Sequence, residues 1–236
     1  MDQKEYALIV AGGKGTRIGD SLPKQFIALN GKPLLLHTLE AFDRYSSLIT
    51  VVLVLPENEI ETWKSLAREH RYNKKILLQA GGDTRFQSVK KGLERIEGNG
   101  LVAIHDGARP LVSPDIIAAS FQLAGTHKTA VASVQLKESL RMIAPTSSPE
   151  GGAEYKNKTK AVDRSRYRLI QTPQTFDVQL VKKAYQIEED PTLTDDASVV
   201  ERAGHTIALF EGSYDNIKVT TPEDLIVAAT LLKKKS

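Results

Sequence analysis

YALIVAGGKGTRIG, residues 6–19, decides the fold. Tyr6 to Val10 is an unbroken apolar run without the alternation of a half-exposed strand, so it reads as a strand covered on both faces. Gly12, Gly13 and Gly15 follow at once, with Lys14 and Arg17 among them. Glycines there let the backbone approach a ligand and turn its N–H groups outward, and the two cations add positive charge: by composition, a phosphate cradle. The same alternation continues outward from this stretch. Strands are predicted at 6–10, 49–55, 75–79, 101–105, 130–136, 168–171 and 206–211. Helical faces lie between them: Ile60, Trp63 and Ala67; Phe86, Val89, Leu93 and Ile96; Leu225, Ala228, Ala229 and Leu232. Pro33, Pro114 and Pro222 stand at first-turn positions, the last two behind the candidate N-caps Ser113 and Thr221.

This pattern predicts an α/β fold, a Rossmann-like three-layer sandwich on a mostly parallel twisted sheet. A single domain over 1–236 is expected. The period fails between 137 and 162, where APTSSPEGGAEYKNKTK is rich in Pro, Gly, Ser and Lys. That stretch reads either as a projecting β-arm or as a disordered loop.

Composition narrows the function. With 32 basic and 29 acidic residues the net charge is +3, too mild for a nucleic-acid groove, and small anionic ligands are the expected partners. The absence of cysteine excludes disulfides, thiol chemistry and Cys-ligated metals, in keeping with a cytoplasmic address. The apolar run 48–55 is far short of the ~20 residues that a spanning helix needs, so no membrane role is expected. Lys233 to Lys235 read as a solvated helix end. His37, His70, His127 and His205 lack metal-ligand spacing.

In an open parallel sheet, ligands bind beyond the carboxyl ends of the strands. Those positions carry LPKQF (22–26), AGGDTRFQS (80–88), HDGARP (105–110) and DNIKVTTPEDL (215–225) after the glycine loop. Each sets Gly, Asp, Lys or Arg where a strand gives way to a loop, and together they point to a polyanion site. The loop is neither a dinucleotide fingerprint nor a Walker A loop. Ile18 occupies the third small position of the former, Pro56 ends the second strand without an acid for a ribose, and Lys14 precedes Gly15 rather than Ser or Thr.

AGGKGTRIG followed by LPKQF resembles the opening of the sugar-phosphate nucleotidyltransferases. With GGDTRFQSV, HDGARP, VDRSRYRLIQTPQTF, TDDASVVERAGH and DNIKVTTPEDL, six blocks in order over nearly the whole chain, the resemblance narrows to the 2-C-methyl-D-erythritol 4-phosphate cytidylyltransferase family. It implies attack of a polyol phosphate on the α-phosphate of CTP, with Mg2+ as cofactor and pyrophosphate leaving. Arg17, Lys24, Arg164 and Lys218 match catalytic positions; Ala11, Gly12, Gly13, Gly15, Gly82, Asp83 and Ser88 match the CTP pocket. Asp106, Arg109, Ser139 and Thr172 match substrate positions, Asp106 either meeting hydroxyls or touching the metal through water. The resemblance further implies a homodimer in which the arm, 137–162, is exchanged with a partner subunit, and Ser139 and Arg164 match residues that reach the neighbour's substrate. The family's usual Ala-Ala-Gly is Ala11-Gly12-Gly13 here, Gly107 replaces a common alanine, and Ser139 replaces a threonine while keeping its hydroxyl. Substitution of glycine at 107 is expected only to loosen the backbone.

A rival reading is a ribitol 5-phosphate cytidylyltransferase, which shares the glycine loop, PKQF and NIKVTTP. VDRSRYRLIQTPQ, HDGARP and TDDAS favour the methylerythritol enzymes. A nucleotide-binding regulator without catalysis would have no use for Arg17, Lys24 and Lys218 together.

Overall fold

A computed structural model of the chain describes residues 3–12, 23–143 and 159–235. In chain order these form β1 (Glu5–Val10), a small hairpin of β2 (Ala28–Leu29) and β3 (Lys32–Pro33), α1 (Leu34–Tyr45), β4 (Thr50–Leu55), α2 (Ile60–Glu69) and β5 (Ile76–Ala80). Next come α3 (Arg85–Glu94), β6 (Leu101–Asp106), α4 (Pro114–His127) and β7 (Thr129–Gln135). The ribbon strands β8 (Leu140–Ile143) and β9 (Thr159–Val162) precede β10 (Arg168–Asp177), α5 (Val178–Ala184), α6 (Asp196–Arg202), β11 (Leu209–Glu211) and α7 (Pro222–Lys235).

Seven strands make the central sheet in the order β11-β7-β10-β6-β1-β4-β5. β1 lies at its heart, parallel to both neighbours, with Leu8 opposite Val52 on one side and Ile104 on the other. Because strand side chains alternate, β1 feeds two cores at once. Ala7 and Ile9 pack with Leu35, Phe42, Trp63, Ile117 and Phe121 from α1, α2 and α4. Tyr6 and Leu8 pack with Phe86, Val89, Val181 and Val200 from α3, α5 and α6 on the opposite face. Helices on both faces are the physical reason that the strand is apolar throughout. A third cluster, Leu29, Leu34, Leu111, Val219 and Ala228, fastens α7 beside the hairpin. Among the described residues, no helix is long and apolar enough to cross a membrane.

β10 departs from the expectation. The predicted strand at 168–171 runs on to Asp177 through the cis Thr172–Pro173 bond, and lies antiparallel between β6 and β7. A register shift between Ile170 and Gln174 accommodates the proline, which cannot donate to a ladder. The edge strand β11 is shorter than predicted, and the short helices α5 and α6 had no strong period to announce them. Pro114 does open α4, with the Ser113 hydroxyl accepting from the Ile116 amide. Pro33 instead stands just before α1. In the stretch 137–162, β8 and β9 pair as an antiparallel ribbon, Leu140 opposite Val162 and Ile143 opposite Thr159; residues 144–158 of that arm lie outside the described residues.

Leu53 is fully buried in the core that faces α1, α2 and α4. Its replacement by alanine is expected to cost about 2–5 kcal/mol in chemical denaturation, since the cavity cannot collapse between a sheet and packed helices. A loss below about 1 kcal/mol would contradict this packing.

Candidate active site

Three parallel strands, β1, β5 and β6, end at one edge of the sheet, and the residues that follow them converge. Ala11 and Gly12 continue β1, with the Ala11 amide donating to the Val54 carbonyl at 2.9 Å. Gly82 and Asp83 follow β5 and lead into α3, whose N-cap Thr84 accepts from the Gln87 amide. Buried Ser88, one turn into that helix, accepts from the Gly82 amide at 3.0 Å, and the Asp83 amide donates to Gln87 Oε1 at 3.1 Å. These two amides are therefore occupied: the glycine gives close approach at this corner but no free donor. A methyl group on Gly82 would sit 2.5 Å from Gln87 Cβ, so the tight corner itself requires glycine.

Lys24 opens a single 3₁₀ turn, Lys24–Phe26. Phe26 is buried in the main core and the buried Gln25 amide donates to Glu59, so the two residues after Lys24 anchor it. Lys218 arrives from the loop before α7. That loop is fastened by the Val219 amide on the Ala108 carbonyl at 2.9 Å and by the Arg109 guanidinium on the Asn216 carbonyl at 2.7 Å.

Asp106, the last residue of β6, sits where these pieces meet. Lys218 Nζ is 3.0 Å from its Oδ2, Arg109 Nε 3.5 Å from the same oxygen, and Arg85 Nε 3.6 Å from Oδ1. Burial pushes this carboxyl toward protonation, but the charges of Arg85, Lys218 and Arg109 outweigh it and hold the group well below the usual carboxylate range. Arg85 is itself held by a two-pronged ion pair, 2.8 and 2.6 Å, to the fully buried Asp196 of α6. The Tyr185 hydroxyl donates to the same carboxylate at 2.6 Å. Burial works against the Arg85 charge, and Asp196 more than offsets it.

Two adjoining cavities result. The smaller, about 270 Å³, is lined by Ala11, Gly12, Lys24, Gly82, Asp83 and Ser88 among others. The larger, about 600 Å³, reaches past Arg109 and Thr172 to Thr194, Asp195 and Ser198. Arg85, Asp106 and Lys218 line both, forming the wall between them. Most of the expected site residues are thus assembled at one edge of the sheet: Ala11, Gly12, Lys24, Gly82, Asp83, Ser88, Asp106, Arg109, Thr172 and Lys218. Ser139 and Arg164 are exposed at the base of the ribbon, away from both cavities in this chain, and Arg164 donates to the Lys137 carbonyl. Gly13, Gly15 and Arg17 lie outside the described residues.

Sequence reasoning missed Arg85, Asp196 and His105. Each stood inside a motif it had marked, GGDTRFQS, TDDAS or HDGARP, but charge and spacing alone do not reveal that residues 111 positions apart form a pair. Gly107 also differs from expectation. A methyl group there would lie 2.7 Å from Ala11 Cβ and 3.1 Å from Leu35 Cδ1, so glycine lets the two strand ends pack closely instead of merely loosening the turn.

As for a metal, no group of three or more His, Cys, Asp or Glu side chains that suits an ion occurs among the described residues. Asp106 already faces three cations. This donor set does not fit a magnesium ion held by the protein alone; it suits one carried by ligand phosphates, which is how Mg2+ commonly enters such sites.

Comparison with known proteins identifies the family. Residues 6–234 match the family model described as 2-C-methyl-D-erythritol 4-phosphate cytidylyltransferase. Enzymes of that name from Bacteroides thetaiotaomicron and Bacteroides fragilis are 45% and 47% identical, over 97% and 96% of this chain and 100% and 98% of their own lengths. Among solved structures, a 4-diphosphocytidyl-2C-methyl-D-erythritol synthase from Anaerococcus prevotii superposes with a TM-score of 0.81 at 26% identity, covering 98% of this chain and 96% of that one. The cytidylyltransferase from Thermus thermophilus does so with a TM-score of 0.73 at 30% identity, covering 99% and 100%. The chain belongs to the 2-C-methyl-D-erythritol 4-phosphate cytidylyltransferase family.

Proposed function

We propose that this protein transfers CMP from CTP to 2-C-methyl-D-erythritol 4-phosphate, releasing pyrophosphate, with the nucleotide in the smaller cavity and the polyol phosphate in the larger. The observation that carries the reading is the shared wall of Arg85, Asp106 and Lys218: a group bound on either side meets the other at that line. Family membership supplies the substrates, and it favours methylerythritol phosphate over ribitol phosphate.

In the reaction an acceptor phosphate oxygen forms a bond to the α-phosphorus as the bond to the pyrophosphate oxygen breaks. A phosphate monoester has its second pKa at about 6 and is largely ionised at neutral pH, so no side chain need remove a proton. The difficulty is to align two anions while charge accumulates at phosphorus, which calls for fixed cations. Lys24 and Lys218 reach the nucleotide cavity, and Arg17, by its motif, belongs to the same task. Arg109 and Lys218 face the acceptor phosphate. Asp106 would either meet acceptor hydroxyls or hold water on a Mg2+ ion brought by the triphosphate, an ion that would neutralise phosphate charge.

Both described cavities together carry four cations, Lys24, Arg85, Arg109 and Lys218, and four carboxylates, Asp83, Asp106, Asp195 and Glu201. Phosphate binding therefore depends on where the cations are placed, not on net charge. A homodimer completes the reading. Met142 and Ile143 on the ribbon and Leu169 and Ile170 on β10 are 40–55% exposed, an apolar surface that a second copy would cover while Ser139 and Arg164 reach its acceptor cavity. The working compartment we assign is the cytoplasm.

Pyrophosphate release with CTP and Mg2+, run against methylerythritol phosphate, ribitol 5-phosphate and a panel of sugar phosphates, tests the substrates; release with ribitol phosphate alone would overturn the assignment. Lys24→Ala is expected to lower kcat by at least ~100-fold, as does loss of one oxyanion donor elsewhere, and a near-normal turnover number would refute its role. The pH profile gives a third check. The Asp106 carboxylate stays ionised well below neutrality, so the acid limb of kcat/KM belongs to protonation of the acceptor phosphate. The rate should fall below about pH 6 and rise to a plateau above it. An acceptor phosphonate of higher pKa should move that limb upward, and an unmoved limb would assign it to the protein.

A further inference from the structure

We infer that His105 and Thr172 form a one-way hydrogen-bond relay that positions Asp106 and Arg109, and that the Thr172 hydroxyl consequently meets the polyol phosphate only as a hydrogen-bond acceptor. The inference rests on reading the larger cavity as the acceptor site.

Three contacts define the relay. His105 Nε2 is 3.3 Å from the Arg109 carbonyl oxygen, His105 Nδ1 is 3.0 Å from Thr172 Oγ1, and the Asp106 amide donates to that same Oγ1 at 3.1 Å. Both ends are chemically fixed. A carbonyl oxygen only accepts, so Nε2 carries the ring proton; a backbone amide only donates, so it takes one lone pair of Oγ1. In a neutral imidazole Nδ1 is then bare, and the single proton of Thr172 must point to it. An imidazolium would reverse the middle bond. His105 is fully buried, with its ring edge-on to Phe42 at 5.3 Å, surroundings that disfavour a charged ring. The relay therefore runs from Asp106 N–H through Thr172 O–H and His105 N–H to the Arg109 carbonyl.

Two consequences follow. First, the turn that joins Asp106 to Arg109 is clamped at one end by the ring and at the other by Thr172, which the ring holds; this fixes the carboxylate at the shared wall and the guanidinium beside it. His105 is thus a positioning residue, four positions from Arg109 in sequence and touching no reacting atom. Second, Thr172 has no proton left for a phosphate oxygen, which can only accept. Its remaining lone pair suits a polyol hydroxyl or a water, and the phosphate falls to Arg109 and Lys218. This makes Thr172 a support of the site as well as the substrate position that its motif matches.

The tautomer can be read without turnover, so its failure is separable from a failure to transfer CMP. In protein labelled with 15N-histidine, the ring that contacts Phe42 should show a protonated Nε2 and a bare, hydrogen-bonded Nδ1, unchanged when methylerythritol phosphate saturates the site. A proton on Nδ1, in the free protein or once the polyol phosphate binds, would overturn the inference. Steady-state kinetics give the second arm. Thr172→Val should lower kcat about 10-fold, the scale of one buried hydrogen bond left unmade, with the acceptor KM changed less than ~3-fold, and Thr172→Ser should restore both. A ~10-fold rise in acceptor KM at unchanged kcat would mean that the hydroxyl serves to bind the acceptor and not to position Asp106 and Arg109, and would sink the proposal.

Discussion

Three cations gathered around one carboxylate organise this site. Arg85, Arg109 and Lys218 would repel one another if they pointed at a common space without a counter-charge; Asp106, within 3.0–3.6 Å of each, lets them share it. The arrangement is useful because the reaction needs positive charge that is fixed before the ligands arrive, not recruited afterwards. A lysine that is 44% exposed and a guanidinium that is 11% exposed differ in freedom, yet both are tethered to the same oxygen. Lys218 has the exposure that the proposed exchange of that oxygen for a phosphate requires. Arg109, with its backbone in the relay and a guanidinium N–H on the Asn216 carbonyl, keeps its place.

The sheet explains why these residues can come from so many parts of the chain. Parallel strands put all their carboxyl ends on one edge, so each β-to-α connection delivers one loop to the same place. β10 adds something that a purely parallel sheet cannot. Running antiparallel beside β6, it brings Thr172 to the level of Asp106, and with it the partner for the Asp106 amide and the His105 ring. The register shift between Ile170 and Gln174 falls in the same stretch of β10 as Thr172.

Much of this was legible because the informative positions follow the strands. The buried strand Tyr6–Val10, the glycine loop, Lys24 in PKQF, Asp106 and Arg109 in HDGARP and Lys218 in NIKVTT all announce themselves by a switch from apolar run to Gly or charge. β10 was only half visible, since a proline inside an apolar stretch reads as its end. Arg85 and Asp196 were present in marked motifs, but a pair is a property of three-dimensional packing: α3 and α6 meet over the same sheet face, which no one-dimensional period encodes. The direction of the His105 relay was equally hidden, because it depends on which atoms face a carbonyl and which face an amide.

The Arg85–Asp196 pair shows how the two helices bear on the chemistry. A fully buried carboxylate is costly unless its hydrogen bonds are met, and replacing such a pair with apolar residues often leaves stability unchanged. Stability alone is therefore a weak reason for its presence. Its geometry offers a better one. Asp196 takes two N–H groups of Arg85 and the Tyr185 hydroxyl, so the guanidinium plane is fixed and its Nε is left facing Asp106. A lysine could supply the charge but not the plane. The pair thus transmits the position of α6, which helps to line the larger cavity, to the carboxylate in the wall that the two cavities share.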